Sequence, residues 1–504
     1  MRIVLVLALL AGCGRDAAPP TATSDTLWSL TPSGARGAIV ISARGVAMIE
    51  NGYAAARTLI ERVPDLAAAK TRLEDALAPF GTNLTLADFG FTPSKGAALF
   101  MMKDGMVAVL PLADRDKFLA KTQGTRGEVD TIDTTTCKPI GAHYVCASSP
   151  PLLDTLGKGD LKRHLATRGE IEIVGAELPF GAKPMTVAAA VQLARGAATV
   201  RATVSNLPAE LANRLAQTAT PKLDARRTAG FALVDLRAWL PPSEEKLVGD
   251  HTVAQALASM DGLLSVVTPA GATVLNVEQA LNAVEPFATI VERCGELPGA
   301  DAIHATSQGG VCKFKAPSWD VELDLWMDGK TVRVGKHDVP PAGAEVPLTE
   351  VGRELARGAW SFVFWGRGTM LAGPPIPGVE PVEVPAEAAM VIRLMALVNE
   401  LGFGARVRGD KVELVASVRT LFANPDDVLA KIQTITANDI AATRARALAE
   451  PIARSSPSSP FAHDFTAGHA GLLVPTALAG QAVSLAVSTL MLMRQQDLPA
   501  ADVP

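Results

Sequence analysis

"ARGAATVRATVSNLP" fills residues 194–208, and "VRGDKVELVASVRTLFANP" fills residues 407–425. Each turns at an Arg-Gly pair, runs outward with valines at alternating positions and closes on Asn-x-Pro or Asn-Pro. A period of two is the mark of a strand with one buried face, and glycine supplies the backbone freedom of a tight hairpin. A second correspondence lies upstream of each. "AIVISARGVA" (38–47) and "GFALVDLRAW" (230–239) are both buried strands followed by an arginine. Arg44 to Arg195 is 151 residues and Arg237 to Arg408 is 171. Similar order at similar length predicts an internal duplication with an insertion in the second copy. The cysteines fit this less closely: Cys137 and Cys294 are 157 apart, whereas Arg44 and Arg237 are 193 apart.

Outward from these hairpins, "GAIVIS" (37–42) reads as a strand, and Val46–Val63 and Leu66–Leu77 as helices. Residues 97–102 and 106–112 read as paired strands around Lys103-Asp104-Gly105. Asp114 is placed to cap a helix through Leu119. "CKPIGAHYVC" (137–146) reads as a hairpin, "EIEIVG" (170–175) as a strand, and Pro208–Gln217 as a helix. In the second copy "DVELDLWM" (320–327) and "KTVRVG" (330–335) pair across Asp328-Gly329, "WSFVFWG" (360–366) is a strand, and Ala386–Leu401 reads as a helix. Helical patterning then continues to about Arg454. The expected class is α+β: two similar lobes of mostly antiparallel sheet with packed helices, at 26–220 and 225–454. A linker at 455–470 and an apolar helix at 471–494 follow. Gly471–Met493 carries no charge. As a helix it would be about 34 Å long, enough for a bilayer, but Pro475, Gly480 and Gln481 point first to a helix packed on the body.

The chain has 504 residues, too long for one ordinary core, and 48% are hydrophobic. Its 47 basic and 52 acidic residues give a net charge of −5. A mildly acidic balance disfavours a nucleic-acid partner, which needs a concentrated basic face. Only two tyrosines are present, which weakens the case for an aromatic sugar-binding surface, although six tryptophans leave it open.

Met1-Arg2 and the apolar run Ile3–Ala11 make a short signal peptide (1–12), too short to span a bilayer. "LAGC" (10–13) resembles the lipobox of bacterial lipoproteins. That resemblance implies a diacylglyceryl thioether on Cys13, cleavage before it and acylation of its amine. The protein would then be held on a membrane by its N-terminal lipid, with residues 13–25 as a tether rich in Ala, Pro and Thr. Gly14, where inner-membrane retention usually has Asp, points to the outer membrane. In an exported chain Cys137, Cys146, Cys294 and Cys312 are expected to form disulfides. Four cysteines allow three pairings. The strand-turn-strand reading of 137–146 and the turns within 294–312 favour the local pairs Cys137–Cys146 and Cys294–Cys312.

No catalytic, cofactor or metal residue stands out. The chain has no HExxH, GxSxG or GxxxxGK[ST]. Gly366-Arg367-Gly368 lacks the third glycine of a phosphate loop. His463, Asp464 and His469 could meet at a metal but follow a linker. His143 reads as a solvent-facing hairpin residue. Glu170 with Glu172, and Glu322 with Asp324, alternate as paired carboxylates on outward strand faces. Through "LWSLTPSGARGAIVIS", "GMVAVLPLADRDKFL" and "TTCKPIGAHYVCAS", the chain resembles the long duplicated lipoproteins of high-GC Gram-negative bacteria, a kind that brings no activity with it. The expected function is a non-catalytic envelope module that binds or scaffolds, with other envelope proteins as further partners. The alternatives are a periplasmic hydrolase with an unrecognised site and a carrier of an apolar ligand.

Overall fold

The structure is a computed structural model that describes residues 24–50, 85–178, 184–194, 197–207, 209–223, 228–239, 242–269, 276–297, 300–315, 322–337, 349–367 and 398–420. These residues form two compact units. The first runs to Ala209 and resumes at Arg408; the second runs from Glu210 to Val407.

The first unit opens with helix α1 (Ser24–Trp28), strand β1 (Gly37–Ile41) and helix α2 (43–50). β2 (Ala97–Met101) and β3 (Met106–Leu110) form the hairpin around Lys103-Asp104-Gly105. Asp114 caps α3 (Arg115–Thr122), its carboxylate accepting the Lys117 N–H at 3.0 Å. β4 (Asp130–Ile132), β5 (Thr135–Ile140) and β6 (His143–Ala147) make a meander. Its β5–β6 turn needs Gly141, whose φ of 57° is easy only without a Cβ. After α4 (Pro150–Leu153) come β7 (Ile171–Leu178), β8 (Met185–Ala194) and β9 (Ala197–Ser205). β21 (Lys411–Thr420) pairs with β9 from Lys411↔Ser205 to Arg419↔Ala197. The order is β4-β5-β6-β3-β2-β1-β7-β8-β9-β21, every pair antiparallel. One face, with Val40, Phe100, Val107 and Val145, is buried under Leu27 and Trp28 of α1 and Leu153 of α4. On the other, Phe118 of α3 covers Cys137, Tyr144 and Cys146.

The short helix α5 (Ala209–Arg214) precedes β10 (Thr228–Val234) and α6 (Leu236–Trp239). β11 (Lys246–Val248) and β12 (His251–Thr252) form a small ribbon. α7 (Val253–Ser259) follows, capped reciprocally by Thr252 and Gln255. Then come β13 (Met260–Pro269), β14 (Asn276–Leu281), α8 (Glu285–Glu292), β15 (Thr306–Gln308), β16 (Val311–Phe314), β17 (Leu323–Asp328), β18 (Thr331–Gly335), α9 (Glu350–Arg357), β19 (Phe362–Arg367) and β20 (Val398–Arg408). The second unit's order is β15-β16-β17-β18-β14-β13-β10-β19-β20, again antiparallel. Within each unit the first strand is interior to the sheet: β1 lies between β2 and β7, and β10 between β13 and β19.

The α+β class expected for 26–220 and 225–454 is corrected. Of the described residues 45% are strand and 24% helix, so the described part of the chain is mostly antiparallel sheet. Helical stretches within them are no longer than eight residues. None of the described helices is long and apolar enough to cross a membrane. The run 471–494, the 455–470 linker, the second predicted helix (66–77) and the helical pattern after Pro425 lie outside the described residues. One misreading has a visible cause. The helix expected at Ala386–Leu401 is strand from Val398 onward. Gly402 and Gly404 alternate on β20 because a Cβ there would stand 2.6 Å and 2.8 Å from Leu355 of α9. That close approach of helix to sheet admits only glycine.

Candidate functional site

Buried charges in this chain fall mostly into closed networks. Asp130, at the start of β4, is fully buried. It accepts Arg115 Nε at 2.6 Å, Arg115 Nη2 at 2.6 Å, the Tyr144 hydroxyl at 2.6 Å and the Gly127 N–H at 3.0 Å. Burial alone would raise its pKa, but these donors outweigh it and lower the carboxyl to about 2. The same contact, with burial first, pushes the Tyr144 phenol upward. Glu172 on β7 is equally buried and accepts Trp28 Nε1 at 2.5 Å and Arg168 Nε at 2.7 Å. In the second unit Glu400 accepts Trp365 Nε1 at 2.9 Å and the Thr349 hydroxyl, and Asp235 pairs with Arg237 at 2.9 Å.

One region departs from this pattern. On β17, Leu323 and Leu325 face the apolar core with Cys294, Cys312 and Phe314. Strand alternation therefore sends Asp324, Trp326 and Asp328 to the opposite face. Register builds that face outward. Ser265 on β13 lies opposite Glu278 on β14, Glu278 opposite Arg333 on β18, Arg333 opposite Trp326, and Trp326 opposite Val311 on β16. Asp324 has Lys313 on one side and Gly335 on the other. Arg333 Nη1 donates to Glu278 Oε1 at 2.9 Å. The Trp326 and His337 rings stand perpendicular, 5.2 Å between centroids.

Two buried polar atoms among the described residues, both on this face, have no hydrogen-bond partner: Asp324 Oδ1 and Arg333 Nε. Asp324 is 6% exposed, and its other oxygen accepts the His337 N–H at 2.8 Å. Arg333 Nε lies 3.1 Å from Asp328 Oδ2, close enough for an ion pair but not aligned as an N–H bond. Lys313 makes no ion pair among the described residues. An unmet buried donor or acceptor costs about 1–3 kcal/mol, so two on one face mark it as incomplete. An acceptor, a donor and an indole side by side suit a polar ligand with an apolar surface of its own.

The sequence candidates are dispersed. Cys137 and Cys146 lie opposite each other on β5 and β6 and are bridged. Cys294, just after α8, is bridged to Cys312 on β16. Glu170 and Glu172 do not form the outward pair expected of them. Glu172 is sealed under Trp28, because the N-terminal segment folds over that face, while Glu170 accepts the Leu193 N–H at 2.7 Å. Of Glu322 and Asp324, only Asp324 is buried. Glu322 is half exposed, 4.0 Å from Lys336. His143 is only partly exposed, and its burial, with Lys95 nearby, lowers its pKa. Gly366 and Arg367 continue β19 rather than opening a loop. Cys13, Gly368, His463, Asp464 and His469 lie outside the described residues. Trp326 and Arg333 were missed, although Asp324-Leu325-Trp326-Met327-Asp328 alternates visibly. No protein-family model, no curated protein and no solved structure matches the chain.

Proposed function

We propose that this chain is a non-catalytic lipoprotein of the bacterial envelope, anchored through Cys13 and acting as a binding or scaffolding module. The observation that carries the reading is a pair of disulfides, Cys137–Cys146 and Cys294–Cys312, in a chain that opens on a lipobox-like "LAGC". Disulfides belong to oxidising compartments, and the acyl chains on Cys13 would keep the body there at a membrane surface, the outer membrane on the strength of Gly14. Two lipid signals on one residue give stable anchoring where a single chain does not. Three of the buried carboxylates, Asp130, Glu172 and Glu400, are occupied by internal donors, which supports binding over turnover; among the described residues only Asp324 keeps a buried carboxylate oxygen without a hydrogen-bond partner.

The test is a Cys13→Ser variant expressed in a Gram-negative host. The native chain should fractionate with membranes and carry the acyl mass on its N-terminal peptide. The variant should lose both and retain residues 1–12. An acylated or still membrane-bound variant defeats the anchor.

A further inference from the structure

We propose that the Asp324–Trp326–Arg333 face of the second unit binds a neutral saccharide, with Trp326 as the stacking platform. This deepens the reading of the chain as a binding module and rests on it.

Asp324 Oδ1 only accepts a hydrogen bond and Arg333 Nε only donates one. They lie on neighbouring antiparallel strands, two residues apart in register: Trp326 is directly opposite Arg333, and Asp324 is two residues before Trp326 on the same face. A group between them must donate to one and accept from the other. A hydroxyl does both, and a pair of adjacent hydroxyls does so across the diagonal of a strand pair.

Charge narrows the class. Glu278 and Asp328 flank the Arg333 guanidinium, and Asp324 lies two residues along on the same face, so an anion would meet three carboxylates. A metal ion is poorly served, because no group of three metal-ligating side chains occurs among the described residues. A neutral polyol avoids both objections. Trp326 then supplies what a pyranose needs besides hydrogen bonds, a flat apolar surface for its C–H face. Gly335, opposite Asp324, adds no side chain to the spot. Both atoms are themselves buried, so a hydroxyl reaches them only when side chains turn aside. Lys313, directly opposite Asp324 and half-buried, is the one with no ion pair among the described residues to break.

Mature full-length protein is titrated with maltotriose and with tri-N-acetylchitotriose, followed by calorimetry and indole fluorescence. Saturable binding of at least one sugar is expected. Trp326→Ala and Asp324→Asn should each weaken it about tenfold, the equivalent of 1.4 kcal/mol. Trp326→Phe, which keeps a ring, should retain part of the affinity. Each variant's thermal transition is recorded alongside, so that lost binding is read only from folded protein. Binding indifferent to Trp326→Ala overturns the site. Absence of saturable binding to either sugar overturns it too, leaving the two orphan atoms to an ordered water, while the Cys13→Ser result still stands for the anchored module.

Discussion

Two cross-strand rows, one in each unit, show what antiparallel pairing leaves open. In the first unit the row runs Val145, Val109, Ala98, Val40 and ends on Glu172. In the second it runs Val311, Trp326, Arg333, Glu278, Ser265 and ends on Leu233 and Val363. Both cross several strands and reach past the first strand of their unit, β1 or β10. The first is sealed by α1, and its single charge is met by the Trp28 indole. The second starts on Val311, carries Arg333, Glu278 and Ser265 along its middle, and becomes buried and apolar at Leu233 and Val363. Backbone pairing leaves the composition of a face free. Fully burying a Val or Leu side chain contributes about 1.5–3 kcal/mol, so the valine row is a stability device. A row that forgoes this gain, on a face with two unmet polar atoms, is where the proposed site lies, since native folds tolerate such breaches mainly at sites.

The largest expected effect breaks the comparison if it fails. Trp28→Ala removes a buried indole and strips a donor from buried Glu172, and should cost about 3–5 kcal/mol in urea unfolding. Trp326→Ala, on the half-exposed face, should cost less than about 1.5 kcal/mol. Equal losses would mean that both faces are structural.

The disulfides come next. Cys137–Cys146 closes a loop of about 10 residues and Cys294–Cys312 one of about 19, so loop-closure entropy allows roughly 2.7 and 3.2 kcal/mol. The first joins two strands already in register. The second ties the chain after α8 to β16. Paired Cys→Ser variants should therefore place the larger loss in the second unit. Amide exchange should rise around residues 294–312 more than around 137–146, and the opposite order would argue that the β5–β6 hairpin depends on its bridge.

A smaller effect is set by pH. Asp130 has a folded pKa of about 2, below its unfolded value of about 3.9. Its contribution is present above the unfolded pKa and is lost as pH falls toward the folded one, by roughly 2 kcal/mol between pH 5 and 2. Asp130→Asn should flatten that part of the acid limb. An unchanged slope would place the acid sensitivity on other carboxylates.

Strand content was legible wherever one face is buried and the other wet. The hairpins at 97–112, 137–146 and 185–204 follow the alternation, and Asp114 caps as its position suggests. Legibility failed in two ways. Alanine- and leucine-rich stretches satisfy helical and strand periods alike, so Val398–Leu401 read as helix until Gly402 and Gly404 met Leu355. Burial of a charge was invisible as well. Glu172 and Asp324 read as outward carboxylates, because nothing local announces that Trp28, 144 residues away, folds over one of them. The candidate face needs the register of β14, β18, β17 and β16, which spans residues 276–335 and has no local signature.

The smallest expected effect sharpens the comparison most, because it asks the same chemical question of each face. Glu172→Gln and Asp324→Asn both replace a buried carboxylate by its amide. Glu172 uses its charge: Arg168 stands at 2.7 Å, Trp28 Nε1 donates at 2.5 Å and the Gly169 N–H at 3.3 Å. Its amide keeps one oxygen as acceptor and turns an NH2 toward donors. Several donors then go unmet, a loss of about 2–3 kcal/mol. Asp324 holds one hydrogen bond, from the His337 N–H, and an amide oxygen accepts that bond equally well. The substitution removes a buried charge whose second oxygen has no partner, and neutralising such a group returns part of its desolvation cost. Asp324→Asn should thus leave the folding free energy within about 0.5 kcal/mol of the native value, or raise it slightly. A loss matching that of Glu172→Gln would show that Lys313 or Arg333 closes on Asp324 in solution, and would make the second face as structural as the first.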